Sequence, residues 1–174
     1  MLTDIVSQIL GVLTIGSQIF IVLAILYFLF FRKKDNIILN FFSANSIRLS
    51  FLVALVATSG SLFYSTYAGF TPCELCWFQR IFMYPLVIVL GVGLIKNSAE
   101  IIDYSFPLAF FGLCISIYHN YIYYKGISSL VCTTAESCTI PYVSEFGYVG
   151  IPMMALTAFS LITLFLIIKK YIKR

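Results

Sequence analysis

Five long stretches of this chain carry no Asp, Glu, Lys or Arg: residues 5–31, 49–73, 81–95, 104–124 and 146–168. All but the third reach the roughly 20 residues that an α-helix needs to cross a hydrocarbon core about 30 Å thick. Few folds are open to such a chain, because in lipid a single segment satisfies its own backbone only as a helix. The third stretch has 15 residues, about 22 Å of helix at roughly 1.5 Å per residue, and falls short. Starting that helix at Cys76 gives 20 residues and five spans. It also places Arg80 inside the end of a span, where charge is costly and points to function or a partner. The expected fold is an all-α integral membrane bundle. Its composition agrees, with 61% apolar and 10% charged residues against roughly 45–50% and about 25% in soluble domains.

Lys and Arg near span ends favour the cytoplasmic side. In a five-span arrangement Arg32, Lys33, Lys34, Arg48, Lys96, Lys169, Lys170, Lys173 and Arg174 share one side, nine of the 11 basic residues. Only Arg80 and Lys125 fall on the other. The N-terminus is therefore expected outside and the C-terminus inside. The net charge of +4 then reflects orientation, and no nucleic-acid partner is expected. The first span ends in Arg-Lys-Lys, lacks a preceding basic region and is too long for a signal-peptide core, so it reads as a retained helix.

Repeats and low-complexity linkers are absent. Residues 32–48 begin with charges and continue as Asn36-Ile-Ile-Leu-Asn-Phe-Phe, a stretch expected to lie along the interface. Residues 96–103 read as a tight turn. The outer loops are 70–75, with Pro72 before Cys73, and 125–148, which holds Cys132, Cys138 and several turn residues. Tyr64, Tyr67, Trp77 and the tyrosines between Tyr118 and Tyr148 fall near the outer boundary, where aromatic side chains ordinarily anchor spans.

Four of the five cysteines form two pairs on that outer side, Cys73-Glu74-Leu75-Cys76 and Cys132-x5-Cys138. An extracytoplasmic face permits stable disulfides. Cys73 and Cys76 stand at a helix start, where the positive dipole end favours a thiolate, and Arg80, four residues on, is expected one turn from the Cys76 sulfur. A lone CxxC also serves structural disulfides and zinc sites. Zinc takes four ligands, which Cys132 and Cys138 could complete, but their spacing is loose and no metal is expected. His119, the only histidine, falls near the depth of Arg80. It is either a ring satisfied by a backbone carbonyl or a second residue of the same pocket. Cys114, in the middle of the fourth span, reads as a small buried apolar residue. Continuous disulfide formation needs a final two-electron acceptor. No haem or iron–sulfur motif is visible, and a lipid-soluble quinone could reach Arg80 and His119 within the outer leaflet.

The run Pro72-Cys73-Glu74-Leu75-Cys76-Trp77-Phe78-Gln79-Arg80, followed by Met83-Tyr84-Pro85, resembles the signature of the DsbB family, the bacterial disulfide bond formation membrane proteins. It is most similar to BdbC-type members. The likeness continues through His119, the second cysteine pair and Gly150-Ile151-Pro152, over about residues 40–170. It implies a four-helix bundle in the bacterial cytoplasmic membrane, here residues 36–174, with residues 1–35 as an additional N-terminal span. Such a protein reoxidises an extracytoplasmic thioredoxin-fold thiol oxidase, DsbA- or BdbD-like, and passes the electrons to ubiquinone or menaquinone. By the resemblance Cys132 and Cys138 meet the partner, Cys76 lies nearest the quinone with Cys73 as its mate, and Arg80 and His119 belong to the quinone site. Vitamin K epoxide reductase-like proteins also join a CxxC to a quinone, but there the loop pair precedes the CxxC. A membrane scaffold or metal-handling protein whose disulfides only staple its loops is the reading from another class.

Overall fold

A computed structural model describes residues 1–30, 37–98, 100–126, 132 and 138–173. It contains five α-helices: α1 Leu2–Phe30, α2 Ile37–Leu62, α3 Glu74–Lys96, α4 Ile101–Lys125 and α5 Ile151–Lys173. A π turn, Phe63–Tyr67, continues α2. All five helices are long and apolar enough to cross a membrane, in agreement with the charge-free stretches.

Helices α2 to α5 form a four-helix bundle in which each packs on its two neighbours, and α1 lies outside it against α5. Lipid tails are as apolar as leucine, so close packing rather than hydrophobicity must hold such helices together. Small residues provide that closeness. A Cβ on Gly112 of α4 would overlap the ring of Phe159, and one on Gly91 of α3 would stand 3.2 Å from the ring of Phe51. Leu86 and Leu90 of α3, Ala109 of α4 and Phe159, Ile162 and Leu166 of α5 fill the centre.

At the end of α3, Asn97 takes the left-handed conformation (φ 48°), and the Ser98 N–H returns to the Gly93 carbonyl at 3.2 Å. This closes the orphan carbonyls of the helix and turns the chain directly into α4. The alternation of direction collects the C-terminus of α2, the N-terminus of α3, the C-terminus of α4 and the N-terminus of α5 at one end.

Several expectations shift. α2 begins at Ile37, well before the charge-free stretch, because Arg48 is exposed on the helix surface and does not interrupt it. The segment expected along the interface is therefore part of the bundle from Ile37 onward. Its Phe42 ring lies 5.3 Å from Phe20 and 6.2 Å from Phe165. Arg32, Lys33, Lys34 and Asn36 lie outside the described residues, as do 127–131 and 133–137 of the long outer loop. α3 starts at Glu74 rather than Cys76, with Cys73 as its extended N-cap, since Pro72 fixes the approach ahead of the first turn. Tyr64 is no interfacial anchor. It is buried and its hydroxyl donates to Ser7 Oγ of α1 at 3.1 Å.

Candidate active site

The end of the bundle where α3 begins carries the thiols. Cys73 is buried at the N-cap of α3 and Cys76 lies one turn further in. Their sulfurs are 3.0 Å apart. On its other side, Cys73 Sγ is 3.7 Å from Nε2 of His119. Buried hydrogen bonds fix that ring. Ser116 Oγ donates its one hydrogen to the Gly112 carbonyl at 2.8 Å, so the Gln79 atom 3.2 Å from it must be a donor. The same Gln79 Nε2 stands 3.3 Å from His119 Nδ1 and makes Nδ1 the acceptor. The ring proton then sits on Nε2 and points at the Cys73 sulfur. Gln79, Ser116 and His119 are all buried, so water does not compete for this chain of bonds.

The groups that favour a thiolate thus converge on Cys73. The hydrogen bond from Cys76 is the largest cause that holds the Cys73 thiol well below the usual thiol range; burial opposes it, and His119 adds to it. A lowered value keeps the thiolate populated as pH falls. In the reduced protein, alkylation of Cys73 by iodoacetamide is therefore expected to stay fast well below pH 7, where an ordinary thiol of pKa about 8.5 slows tenfold per unit. His119→Ala should move that profile to higher pH. A Cys73 profile with an ordinary thiol midpoint would contradict this assignment.

Cys132 and Cys138 are joined as a disulfide with Cα atoms 6.3 Å apart, within the usual range. Both are buried, and they pack in one cluster with Cys73, Leu75 and Ile122, with Cys76 alongside. The two pairs are neighbours. A Glu74 carboxylate oxygen and the sulfurs of Cys132 and Cys138 all lie within 4.8 Å of one another. Cys73, Cys76 and His119 offer three donor atoms in a similarly tight group, one fewer than the closed four-ligand set of a structural zinc site. The pair that could complete a four-thiolate set is bonded to itself.

Behind the thiols opens a cavity of about 320 Å³ lined by Cys73, Cys76, Gln79, Arg80, His119 and Cys138, with apolar walls from α1, α2 and α5. Arg80 reaches across to α2. Its Nε donates to Ser61 Oγ and its Nη2 to the Ser61 carbonyl, both at 3.0 Å, and its guanidinium lies 5.1 Å from the centre of the Trp77 ring. Arg80 lines the same cavity as Cys76, and the hydrogen bonds of its guanidinium go to Ser61 of α2. His119 shares the cavity with Arg80, but its ring is directed at Cys73. Cys114 is exposed on the outer face of α4 rather than buried, with no part in the site.

Sequence reasoning did not single out Glu74, Ser61, Gln79 or Ser116 as site residues. Two of these had signals. Gln79 is three residues from Cys76, and Ser116 three from His119, spacings that share a helix face.

The family model for disulfide bond formation protein DsbB matches residues 44–169, a range that contains both cysteine pairs, Arg80 and His119 but not α1. Disulfide bond formation protein C of Bacillus subtilis (strain 168) is 43% identical over 124 residues, 70% of this chain and 89% of its own length. A probable disulfide formation protein C 1 of Bacillus anthracis is 43% identical over 121 residues, 67% of this chain and 86% of that protein. A probable disulfide formation protein of Oceanobacillus iheyensis is 41% identical over 137 residues, 75% and 86% of the two chains. No solved structure matches.

Proposed function

The chain belongs to the disulfide bond formation protein DsbB family, and from that premise we propose that it is a quinone-linked oxidoreductase that reoxidises an extracytoplasmic thioredoxin-fold thiol oxidase. One observation carries the reading. Both cysteine pairs lie in a single buried cluster that borders a cavity holding Arg80 and His119.

The partner's dithiol reduces the Cys132–Cys138 disulfide and leaves as a disulfide. The two thiols so formed reduce a Cys73–Cys76 disulfide through a mixed disulfide, since exchange needs only a thiolate in contact with a disulfide sulfur. Glu74 is placed to take the proton of whichever loop thiol attacks. Once reduced, Cys73 is held as the thiolate by Cys76 and His119, which favours transfer inward. Re-forming the Cys73–Cys76 disulfide from the Cys73 thiolate and the Cys76 thiol gives up two electrons and one proton.

The cavity suits a quinone. Its volume falls at the lower end of the roughly 300–1,000 Å³ usual for ligand pockets, and such pockets combine apolar walls with a few placed polar groups. Arg80 and the buried Tyr84 hydroxyl, which has no hydrogen-bond partner among the described residues, are donors available to a ring carbonyl oxygen, and Cys76 lines the same space. Bound there, a quinone would accept both electrons and the Cys76 proton, with its second proton drawn from water at the outer face. The basic-residue distribution orients the thiol end outward, with the N-terminus outside and the C-terminus in the cytoplasm. In this scheme residues 36–174 carry the chemistry and residues 1–35 are an added span.

Trapping thiols with an alkylating reagent tests the reading. Purified protein given a reduced thioredoxin-fold dithiol protein should pass through states with two and then four alkylatable site thiols, and adding quinone should return all four to disulfides. Cysteines that never change state would make the bonds structural staples and the protein a scaffold.

A further inference from the structure

The cavity accounts for a quinone ring and leaves out its tail. A volume of about 320 Å³ does not hold a polyisoprenoid chain, so the chain must leave through a wall. Most seams between the helices are closed. Phe159 fills the approach of α4 to α5 at Gly112, and Phe51 fills that of α2 to α3 at Gly91. α1 is bound to the α5 side by Gln18 Nε2 donating to Thr157 Oγ1 at 3.2 Å and by the Phe20–Phe165 contact at 6.0 Å.

The seam between α1 and α2 differs. A second crevice of about 430 Å³ lies there, walled by Val6 and Leu10 on one side and by Leu55, Val56, Ser59, Gly60 and Phe63 on the other. Leu10, Val56 and Gly60 line both the crevice and the cavity, so these residues form a wall that the two spaces share. The crevice is apolar apart from Ser59, and Leu55 and Val56 are 40% and 39% exposed on a surface that faces lipid in a membrane. That wall is soft. A Cβ on Gly60 would stand 3.2 Å from Leu10 Cδ1, so α2 offers bare backbone to the tip of one leucine, and a rotamer change there would open a passage.

We propose that the α1–α2 seam is the lateral port of the site, through which a quinone passes from the bilayer and in which its isoprenoid chain stays while the ring occupies the cavity. The proposal rests on the quinone reading above and gives α1, which lies outside the residues matched by the family model, a part in selecting a tailed ligand.

Ser59 and Val6 line the crevice and not the cavity, so Ser59→Phe and Val6→Phe plug the seam from opposite helices. Trp77, the only tryptophan, reports binding through quenching of its fluorescence by a quinone in the cavity beside Arg80. The protein is placed in phosphatidylcholine vesicles and titrated with a benzoquinone lacking a tail and with one carrying an isoprenoid tail. Each plug should raise the concentration of tailed quinone for half-quenching on the order of tenfold, equivalent to about 1.4 kcal/mol, and leave the tail-less compound within about twofold. Either variant suffices if the other does not accumulate. Equal shifts for both quinones, or none for either, would mean that the crevice holds ordinary lipid chains, and the port is then wrong. If the unsubstituted protein binds neither quinone, the quinone reading itself fails and the port with it.

Discussion

Serine in place of Cys73, Cys76, Cys132 or Cys138 is expected to bring reoxidation of the partner down to the uncatalysed background. The relay has no spare sulfur. Each pair must cycle between dithiol and disulfide, and an alcohol can neither attack nor accept at sulfur, so loss of one member stops two-electron transfer. Cys132→Ser and Cys138→Ser should still allow a small dithiol to reduce quinone through Cys73 and Cys76, whereas Cys73→Ser and Cys76→Ser should abolish that reaction too. Cys114→Ser should keep nearly full activity, because Cys114 faces outward from α4. The assay is quinone absorbance with each reductant in turn. If Cys132→Ser lost the small-dithiol reaction while remaining folded, the order of transfer from loop pair to CxxC would be refuted.

Arg80→Ala carries the next largest expected effect. Two donors to Ser61 are lost, along with the guanidinium face over Trp77 and the cationic wall of the cavity. Hydrogen bonds to charged groups contribute roughly 1.5–3 kcal/mol, so the quinone concentration for half-maximal rate should rise about ten- to hundredfold. Arg80→Lys restores the charge but not the planar fork that reaches both Ser61 acceptors, and should recover only part of the loss. The decisive comparison is quinone dependence at saturating dithiol. An unchanged dependence together with poor accumulation of the Ala variant would make Arg80 a clamp between α2 and α3 and nothing more.

The spans were legible because charge is expensive in lipid, and their number followed from where charges are missing. Their ends were less so. A charge-free window reports the apolar part of a helix, and Arg48 could remain exposed on α2 without ending it. The thiol pairs were legible from spacing and from the motif around them, but which sulfur is held as thiolate was not. Counting four residues from Cys76 to Arg80 puts both on one helix face, and both line the cavity, but the bonds from the guanidinium to Ser61 depend on how α2 packs against α3. His119 shows the converse. Its depth in α4 suggested the right neighbourhood, whereas its contact with Cys73 depends on Gln79 and Ser116, and thus on how α3 and α4 rotate against each other. That rotation is set by pairs such as Gly93 of α3 with Ile101 of α4, which no local pattern announces.

The placement of α1 bears on how the protein is made. The first and fifth helices both wall the cavity, and the hydrogen bond from Gln18 to Thr157 joins residues 139 positions apart. Chains are synthesised from the N-terminus at about 5–20 residues per second, so α1 must wait in the bilayer until α5 arrives. A nascent chain that stops before Ile151 already has both cysteine pairs, yet one flank of its thiol chamber opens onto lipid. The closed chamber is therefore the last part of the site to form during biogenesis, after both cysteine pairs are already in place.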